Sequence, residues 1–424
     1  MKEDWIECTL QEAFETVTGN TPPKKEKENY GDEIPFIKPP QIENNTITTS
    51  LEYLSLKGKE KARILPINSV LVTCIGNLGR VGLNKKEVAF NQQINAIKPV
   101  SGIEAKFTFY QAQSINFRNQ LEKLSTSTTV SLVNKTSFNS IRFKIAALAI
   151  QKAIVKKIEA LFSDLDQGVA DLKKAQEQLK IYRQAVLKKA FEGIKDLKPL
   201  KDCGDWKGGG TPSKQVKEYW EDGNIPWVSS RDVKTKEIVD TERHITEIAI
   251  SNSSTKWIEK NSILFVMRSG ILRRIFPIAI AKTKLCVNQD IQTVSLNQNW
   301  IPEYVYWFLL GNESDIRNSC SKDGTTVESI DSNSLKEYLV PFCQIEEQHQ
   351  IVKEIESRLS VCDAVEQNIS ESLEKAQALR QSILKKAFER NLLSEEEIAQ
   401  CKAQPDYEPA SVLLEKIKKE KKKK

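Results

Sequence analysis

Three guanidinium groups crowd one short stretch, Met267-Arg268-Ser269-Gly270-Ile271-Leu272-Arg273-Arg274, which follows an apolar run that reads as a buried strand. An arginine fork makes paired hydrogen bonds to phosphate oxygens or to a guanine edge. A solvated basic turn is the plainer alternative, and the residue types allow both. An equivalent stretch earlier in the chain, Asn77 to Lys86, carries Asn77, Arg80, Lys85 and Lys86. Lys57, Lys59 and Lys61, with Arg63, add a local positive cluster. Ser229-Ser230-Arg231-Asp232 and Ile37-Lys38-Pro39-Pro40-Gln41 fall at matching places but offer different hydrogen-bonding groups. The candidate recognition residues are therefore Lys38, Lys57, Lys59, Lys61, Asn77, Arg80, Lys85, Lys86, Ser229, Ser230, Arg231, Arg268, Ser269, Arg273 and Arg274. Asn91-Gln92 and Asn288-Gln289 are the same in both places, which fits holding the fold better than choosing a ligand.

Catalytic chemistry is not legible. The two histidines, His244 and His349, fall in no metal-ligand spacing and no Ser-His-Asp or Cys-His order. Eight cysteines are scattered without a Cys-x-x-Cys pair, so reduced thiols in a cytosol are expected, with neither zinc nor disulfides. Gly76-x-x-Gly79-x-x-Gly82 lacks the Lys-Ser/Thr ending of a phosphate loop and reads as a turn between strands. No Asn/Asp-Pro-Pro-Tyr/Phe motif is present. The chain reads as a protein that recognises something and leaves the reaction to others.

Bulk properties restrict the partners. The 424 residues carry a formal net charge of +6, but the last seven, Lys418 to Lys424, hold +5 of it. Overall basicity therefore says little, and any anion-binding charge must be segregated onto faces. The lysine run itself is expected to be a solvated, disordered end, with a non-specific phosphate contact as the lesser reading. Apolar runs such as Tyr304 to Leu310 are too short to span a bilayer, and the N-terminus has no signal-peptide core. No membrane role is expected.

Positioning falls to two long helices. Ile145 to Glu192 contains no proline and a single glycine, Gly168. Its apolar residues recur in a 3-4 heptad pattern through Val155, Ile158, Phe162, Leu165, Val169, Leu172, Gln176, Leu179, Arg183, Val186 and Ala190, the pattern of a coiled-coil seam. Gly193 stands where a glycine ends a helix. The pattern returns 197 residues later through Val352, Ile355, Leu359, Cys362, Glu366, Ile369, Leu373, Ala376, Arg380, Ile383 and Ala387. Leu187-Lys188-Lys189-Ala190-Phe191-Glu192 recurs as Leu384-Lys385-Lys386-Ala387-Phe388-Glu389. The stretches before the helices repeat too. Asn20-Thr21-Pro22 echoes in Gly210-Thr211-Pro212, Ile34-Pro35-Phe36-Ile37 in Ile225-Pro226-Trp227-Val228, Asn68-Ser69 in Asn261-Ser262, and Thr128-Thr129-Val130 in Thr325-Thr326-Val327. The offsets drift only within these stretches, so loops vary while the helices keep register.

Several local readings follow. Val88 to Ile97 reads as one strand, and Phe107 to Leu124 as one helix. Ser394-Glu395-Glu396-Glu397 reads as a capped helix start, and Ala410 to Ile417 as a short amphipathic helix before the lysines.

Taken together, Gly19 to Ile37 and Gly209 to Val228, the Arg268 to Leu272 loop, the Asn-Gln pairs, Tyr182 to Gly193, Glu347 to Val352 and Glu408 to Glu415 resemble the specificity subunit of type I restriction-modification enzymes, over essentially the whole chain. The resemblance implies an α+β protein with two similar target recognition domains separated by two long helices packed as an antiparallel coiled coil. The regions are 1–143 and 196–340 for the two recognition domains, 144–195 and 341–393 for the central and distal helices, and 394–424 for a C-terminal segment with a short helix and lysine tail. The helix-pair seam would comprise Val155, Ile158, Phe162, Leu165, Val169, Leu172, Leu179, Val186, Val352, Ile355, Leu359, Ile369, Leu373 and Ile383. It further implies double-stranded DNA read as a bipartite asymmetric site, two methyltransferase subunits and restriction subunits as partners, and a cytoplasmic location. No cofactor would be bound by this chain: S-adenosylmethionine would sit in the methyltransferase subunit and ATP with magnesium in the restriction subunit. One departure is Lys144-Ile145-Ala146-Ala147, where the second repeat has Pro341-Phe342-Cys343-Gln344, so the first helix is expected to extend backwards. A coiled-coil scaffold that binds only proteins, a self-sufficient DNA enzyme and an inactive allele are the competing readings.

Overall fold

The computed structural model describes residues 4–126, 130–322 and 327–423. Thr128, Thr129, Thr325 and Thr326 of the threonine echo lie outside the described residues. The chain forms two compact units, one from residues 1–172 and 371–424, the other from 173–370.

In the first unit, Trp5–Thr9 pairs antiparallel with Arg142–Ala146. A five-stranded sheet runs in the order Thr16–Thr18, Ile94–Ile97, Val70–Thr73, Val81–Asn84, Asn45–Ile47. A second sheet runs Tyr30–Gly31, Tyr53–Leu54, Ile34–Ile37, Val88–Phe90, Ile64–Leu65. The central strands are apolar on both faces: every residue of Val70–Thr73 is buried. That is why the segment reads as a continuous apolar run and not as an alternation.

The second unit repeats this order, without a counterpart of the edge strand Tyr30–Gly31 among the described residues. Leu197–Pro199 pairs with Leu339–Pro341. One sheet runs Gly204–Gly208, Ile291–Leu296, Ile263–Val266, Ile278–Ala281, Glu237–Ile238, and the other runs His244–Ile245, Ile225–Val228, Leu285–Val287, Trp257–Ile258. Asn68 and Asn261 enter the equivalent central strands with φ of 66° and 67°. Asparagine tolerates this left-handed backbone better than most side chains do. The expected α+β class is what the chain forms.

The long helices are Leu148–Ala190 and Ile345–Phe388. In the first unit Ile154, Ile158 and Phe162 share a core with Ile383, Leu384 and Phe388. In the second, Val186 and Leu187 share one with Val352, Ile355 and Leu359. Within each unit the two helical segments run antiparallel. Of the seam positions, Val155, Ile158, Phe162, Val186, Val352, Ile355, Leu359, Ile369 and Ile383 are buried, while Leu165, Val169, Leu172, Leu179 and Leu373 are half-buried. A two-stranded seam leaves its flanks to solvent. Val155, Ile158, Phe162, Val186, Val352, Ile355, Leu359 and Ile383 also join a domain core, whereas Ile369 is buried outside those cores.

Four readings need correction. The first helix does not extend backwards: Ile145 pairs with Ile6 in a strand, and helical bonding begins with Gln151 N donating to Ala147 O. Val88 to Ile97 is two strands in different sheets. The Asn91 side chain accepts from Gln93 N at 2.9 Å and turns the chain between them. Phe107 to Leu124 belongs to two helices, Ala105–Ala112 and Ile115–Lys123, because Ser114 Oγ accepts from Phe117 N and caps a new start. The lysine end is also ordered: the helix Ala410–Lys423 runs into it. Leu413, Leu414 and Ile417 are buried in the first unit's core, and Lys421 Nζ donates to the carbonyls of Gln11 and Phe14.

The rest of the C-terminal segment is fixed to the same unit. Ser394 and Glu397 form a capping box, and Glu397 also takes Lys157 Nζ at 2.7 Å. Lys402 Nζ stands 2.7 Å from the buried carboxylate of Asp4, and Tyr407 Oη donates to the same group.

Candidate nucleic-acid interface

Each recognition loop set rests on one shared frame. A Cβ on Gly19 would lie 2.3 Å from Asn91 O, and one on Gly209 would lie 2.0 Å from Asn288 O. Only glycine permits that approach. Just beyond, Thr21 Oγ1 donates to Gln92 Oε1, and Thr211 Oγ1 donates to Gln289 Oε1. Asn91 Nδ2 returns a bond to Thr21 Oγ1 at 3.0 Å. The Gly-x-Thr-Pro motifs and the Asn-Gln pairs, distant in sequence, therefore hold each other. They clamp the start of each domain onto the corner where its two sheets meet.

In the first unit most candidate cations are already paired on the protein surface. Lys38 meets Glu52 and Lys61 meets Glu26. Lys57 lies 2.5 Å from Glu28 and Lys59 lies 3.5 Å from Glu87. Arg80 is 3.8 Å from Glu43, and Lys85 Nζ donates to Asn68 Oδ1 at 3.1 Å. Exposed pairs of this kind contribute little to stability and are screened by salt. Asn77 sits in the hairpin that follows Val70–Thr73, where its carbonyl accepts from Thr73 Oγ1 at 2.6 Å. Gly76 and Gly79 in this hairpin both have φ of 77°, so the glycine spacing serves a turn. Lys86 is exposed in the next turn, which it shares with Lys85, at the opposite end of the Val70–Thr73 and Val81–Asn84 pair from Asn77.

The second unit is arranged differently. Ser229 N and Oγ both donate to Asp232 Oδ2, at 2.8 and 2.7 Å, which folds a tight turn and leaves Arg231 exposed with Ser230 half-buried beside it. Arg268, Arg273 and Arg274 are exposed on the loop after Ile263–Val266, topologically the place of the Asn77 hairpin. Arg273 Nε lies 2.7 Å from Glu328. Arg268 and Arg274 have no carboxylate within ion-pair distance among the described residues. Ser269 caps the turn Gly270–Arg273.

Reactive groups are held inert. Burial pushes the thiols of Cys8, Cys74, Cys203 and Cys286 up to about 12. His244 Nε2 is 2.7 Å from Asp240 on an exposed edge, and His349 is exposed on the second long helix. Among the described residues no cluster of three His, Cys, Asp or Glu side chains could hold a metal.

With two matched frames and two unlike loop sets in place, comparison with known proteins decides the family. The sequence model described as type I restriction modification DNA specificity domain matches residues 2–174 and again 195–375. The chain belongs to that family. It is a type I restriction-modification specificity subunit with two target recognition domains. It is 37% identical over 236 residues to the EcoR124I/EcoR124II specificity subunit of Escherichia coli, a match that spans 55% of this chain and 57% of that protein. It is 25% identical to the EcoKI specificity subunit of Escherichia coli K12, across 99% of this chain and 96% of that one. In fold it resembles a chain solved in work on complex assembly and conformational transition of the type I R-M system, with a TM-score of 0.74 at 18% identity, over 92% of this chain and 98% of that chain. It also resembles the HsdS subunit from Thermoanaerobacter tengcongensis, with a TM-score of 0.57 at 16% identity, over 92% and 97%.

Sequence reasoning passed over two residues of this specificity subunit that tie helix to domain. Gln151 and Gln348 are fully buried. Gln151 Oε1 accepts from Glu104 N at 2.8 Å while Nε2 donates to the carbonyls of Gly102 and Ala146. Gln348 Oε1 accepts from Ile301 N at 2.9 Å while Nε2 donates to Asn299 and Cys343. The available signal was a polar side chain repeated at the 197-residue offset on an otherwise apolar face.

Proposed function

We propose that this specificity subunit reads double-stranded DNA as a bipartite, asymmetric site, one half by residues 1–143 and the other by residues 196–340. The observation that carries the reading is two domains of one topology, with one shared Thr–Gln and Gly–Asn frame but unlike loops. A duplicated frame gives both domains the same way of meeting a duplex, and unlike side chains on it select different bases. The DNA contacts are assigned to Lys38, Lys57, Lys59, Lys61, Asn77, Arg80, Lys85 and Lys86 in the first domain. In the second they are assigned to Ser229, Ser230, Arg231, Arg268, Ser269, Arg273 and Arg274.

In this reading the long helices set the unread gap between the half-sites and dock two methyltransferase subunits. Those subunits bring S-adenosylmethionine and methylate adenine, and restriction subunits bring ATP and magnesium for translocation and cleavage. The chain itself only recognises, and it works in the cytoplasm. The relatives named as specificity subunits support this division of labour.

The test is methylome sequencing of a host that carries this chain with its methyltransferase subunit. A split motif with two dissimilar halves is expected. Inserting four residues into both long helices, ~6 Å of rise at 1.5 Å per residue, is expected to lengthen the gap by one or two base pairs. An unchanged gap would defeat the spacer role, and an undivided motif would defeat the two-domain reading.

A further inference from the structure

The loop between Ile263–Val266 and Ile278–Ala281 exposes two large apolar side chains, Ile271 at 40% and Ile275 at 43%. Their neighbours Leu272 and Phe276 are buried, at 5% and 2%. Ile275 N donates to Ile271 O at 3.1 Å, so the two isoleucines stand one turn apart. Arg268, Arg273 and Arg274 are exposed around them.

The turn is braced from below. Leu272 N donates to Ser269 O, and Ser269 N donates to Glu328 O, both at 3.1 Å. Phe276 N donates to Glu313 Oε1 at 2.9 Å, and Arg317, paired with that carboxylate, donates to Arg273 O. The loop thus presents the isoleucines from a fixed base. The equivalent hairpin of the first unit exposes no large apolar side chain among the described residues; there Leu78 is half-buried.

An apolar pair ringed by guanidinium groups suits a narrow class of surface. The guanidinium groups suit phosphates, and the apolar pair needs something methyl-like between them. In the major groove of a duplex the one apolar group on the base edges is the 5-methyl of thymine. We propose that Ile271 and Ile275 read thymine 5-methyl groups in the half-site assigned to residues 196–340. This rests on the DNA-reading proposed above, and it makes the isoleucines specificity-determining residues in addition to the arginines, whose forks meet phosphates or guanine edges.

The test uses the full chain with its co-expressed methyltransferase subunit and a duplex carrying its mapped site. Each thymine of either half-site is replaced in turn by deoxyuridine, which keeps the pairing and removes the methyl. In the wild type, one or two positions of one half-site are expected to weaken binding roughly threefold to fivefold, the worth of a buried methyl. The Ile271→Ala, Ile275→Ala variant should bind thymine and uracil duplexes alike. Its melting temperature should fall by only a few degrees, since each side chain is about two-fifths exposed, and it should keep its salt slope, since no phosphate contact is lost. Ile271→Val should retain part of the methyl dependence. A wild type indifferent to every uracil, or a variant that keeps the full penalty, would overturn the assignment while leaving the DNA-reading intact. Absence of any site-selective binding would overturn both.

Discussion

Arg183 Nη2 lies 2.6 Å from Asp363 Oδ1, and the same pair recurs with the partners exchanged between helices, as Arg380 with Asp166. Each arginine is 197 residues from its counterpart, and so is each aspartate. Both arginines interrupt the apolar seam at the same heptad position. Arg183 also reaches Glu366 at 2.9 Å, and Arg380 lies 4.1 Å over the ring of Phe162. These pairs favour one register: the carboxylates stand at the exposed flank of the seam, and slipping one helix by a turn would part Arg380 from Asp166.

The first prediction concerns these pairs. Arg183→Glu is expected to lower stability by roughly 0.5–1 kcal/mol, the scale of a partly exposed pair. Arg183→Glu with Asp363→Arg should recover most of it. Urea unfolding of the four species of the cycle gives the coupling, and strictly additive single effects would show that the pair contributes nothing.

A second prediction follows from the buried amides. Gln151→Leu removes an acceptor from Glu104 N and a donor from two carbonyls, and Gln348→Leu does the same to Ile301 N, Asn299 and Cys343. Each substitution is expected to cost roughly 2–4 kcal/mol, since buried backbone groups are left unpaired. A melting temperature within a degree of wild type would contradict it.

Much of this fold was legible in the chain. The 197-residue echo gave the two helices and the two domains because strands buried on both faces and heptad seams leave strong apolar patterns. What escaped notice were boundaries set by single side chains. Ser114 splits one helix into two by capping Phe117 N, and Asn91 sends one apolar run into two sheets. Neither changes the apolar pattern. The order of the lysine end was hidden as well, because three apolar side chains on one face outweigh six lysines once a core is there to receive them. At the candidate interface, residue types marked the loops, but the sequence could not show that Lys57, Lys59 and Lys61 are paired with glutamates distant in the chain.

The glycine clamps yield a third prediction. Gly209→Ala places a methyl against Asn288 O and Val287 O, and is expected to destabilise the second unit by about 1–3 kcal/mol or more. Gly208→Ala, one residue away, meets nothing within 4 Å and serves as the control. Differential melting of the two variants distinguishes a steric clamp from a general intolerance of the strand.

The C-terminal segment gives a pH prediction. The Asp4 carboxyl is held below its ordinary 3.8: burial opposes this, and hydrogen bonds from Lys402 and Tyr407 overcome it. Glu12 is lowered by hydrogen bonds from Thr9, and Glu397 by Lys157 and then Ser394. Carboxylates depressed in the folded state contribute stability that is present above their unfolded values and lost as pH falls through the folded ones. Amide protection factors in 395–402 and 410–423 are therefore expected to hold from pH 7 to pH 5 and to fall below about pH 4. Protection that instead fell on raising the pH from 5 to 7 would reverse the sign.

The most direct measurement is the methylome of a host carrying the Arg268→Ala, Arg273→Ala, Arg274→Ala variant beside one carrying the wild type, each with the methyltransferase subunit. Wild type is expected to mark a split motif. The variant should mark sites with relaxed or lost selection in one half only, the other half unchanged, and its DNA binding should show a shallower salt slope. Equal relaxation of both halves, or a motif indistinguishable from wild type, would contradict the assignment of one half-site to each domain.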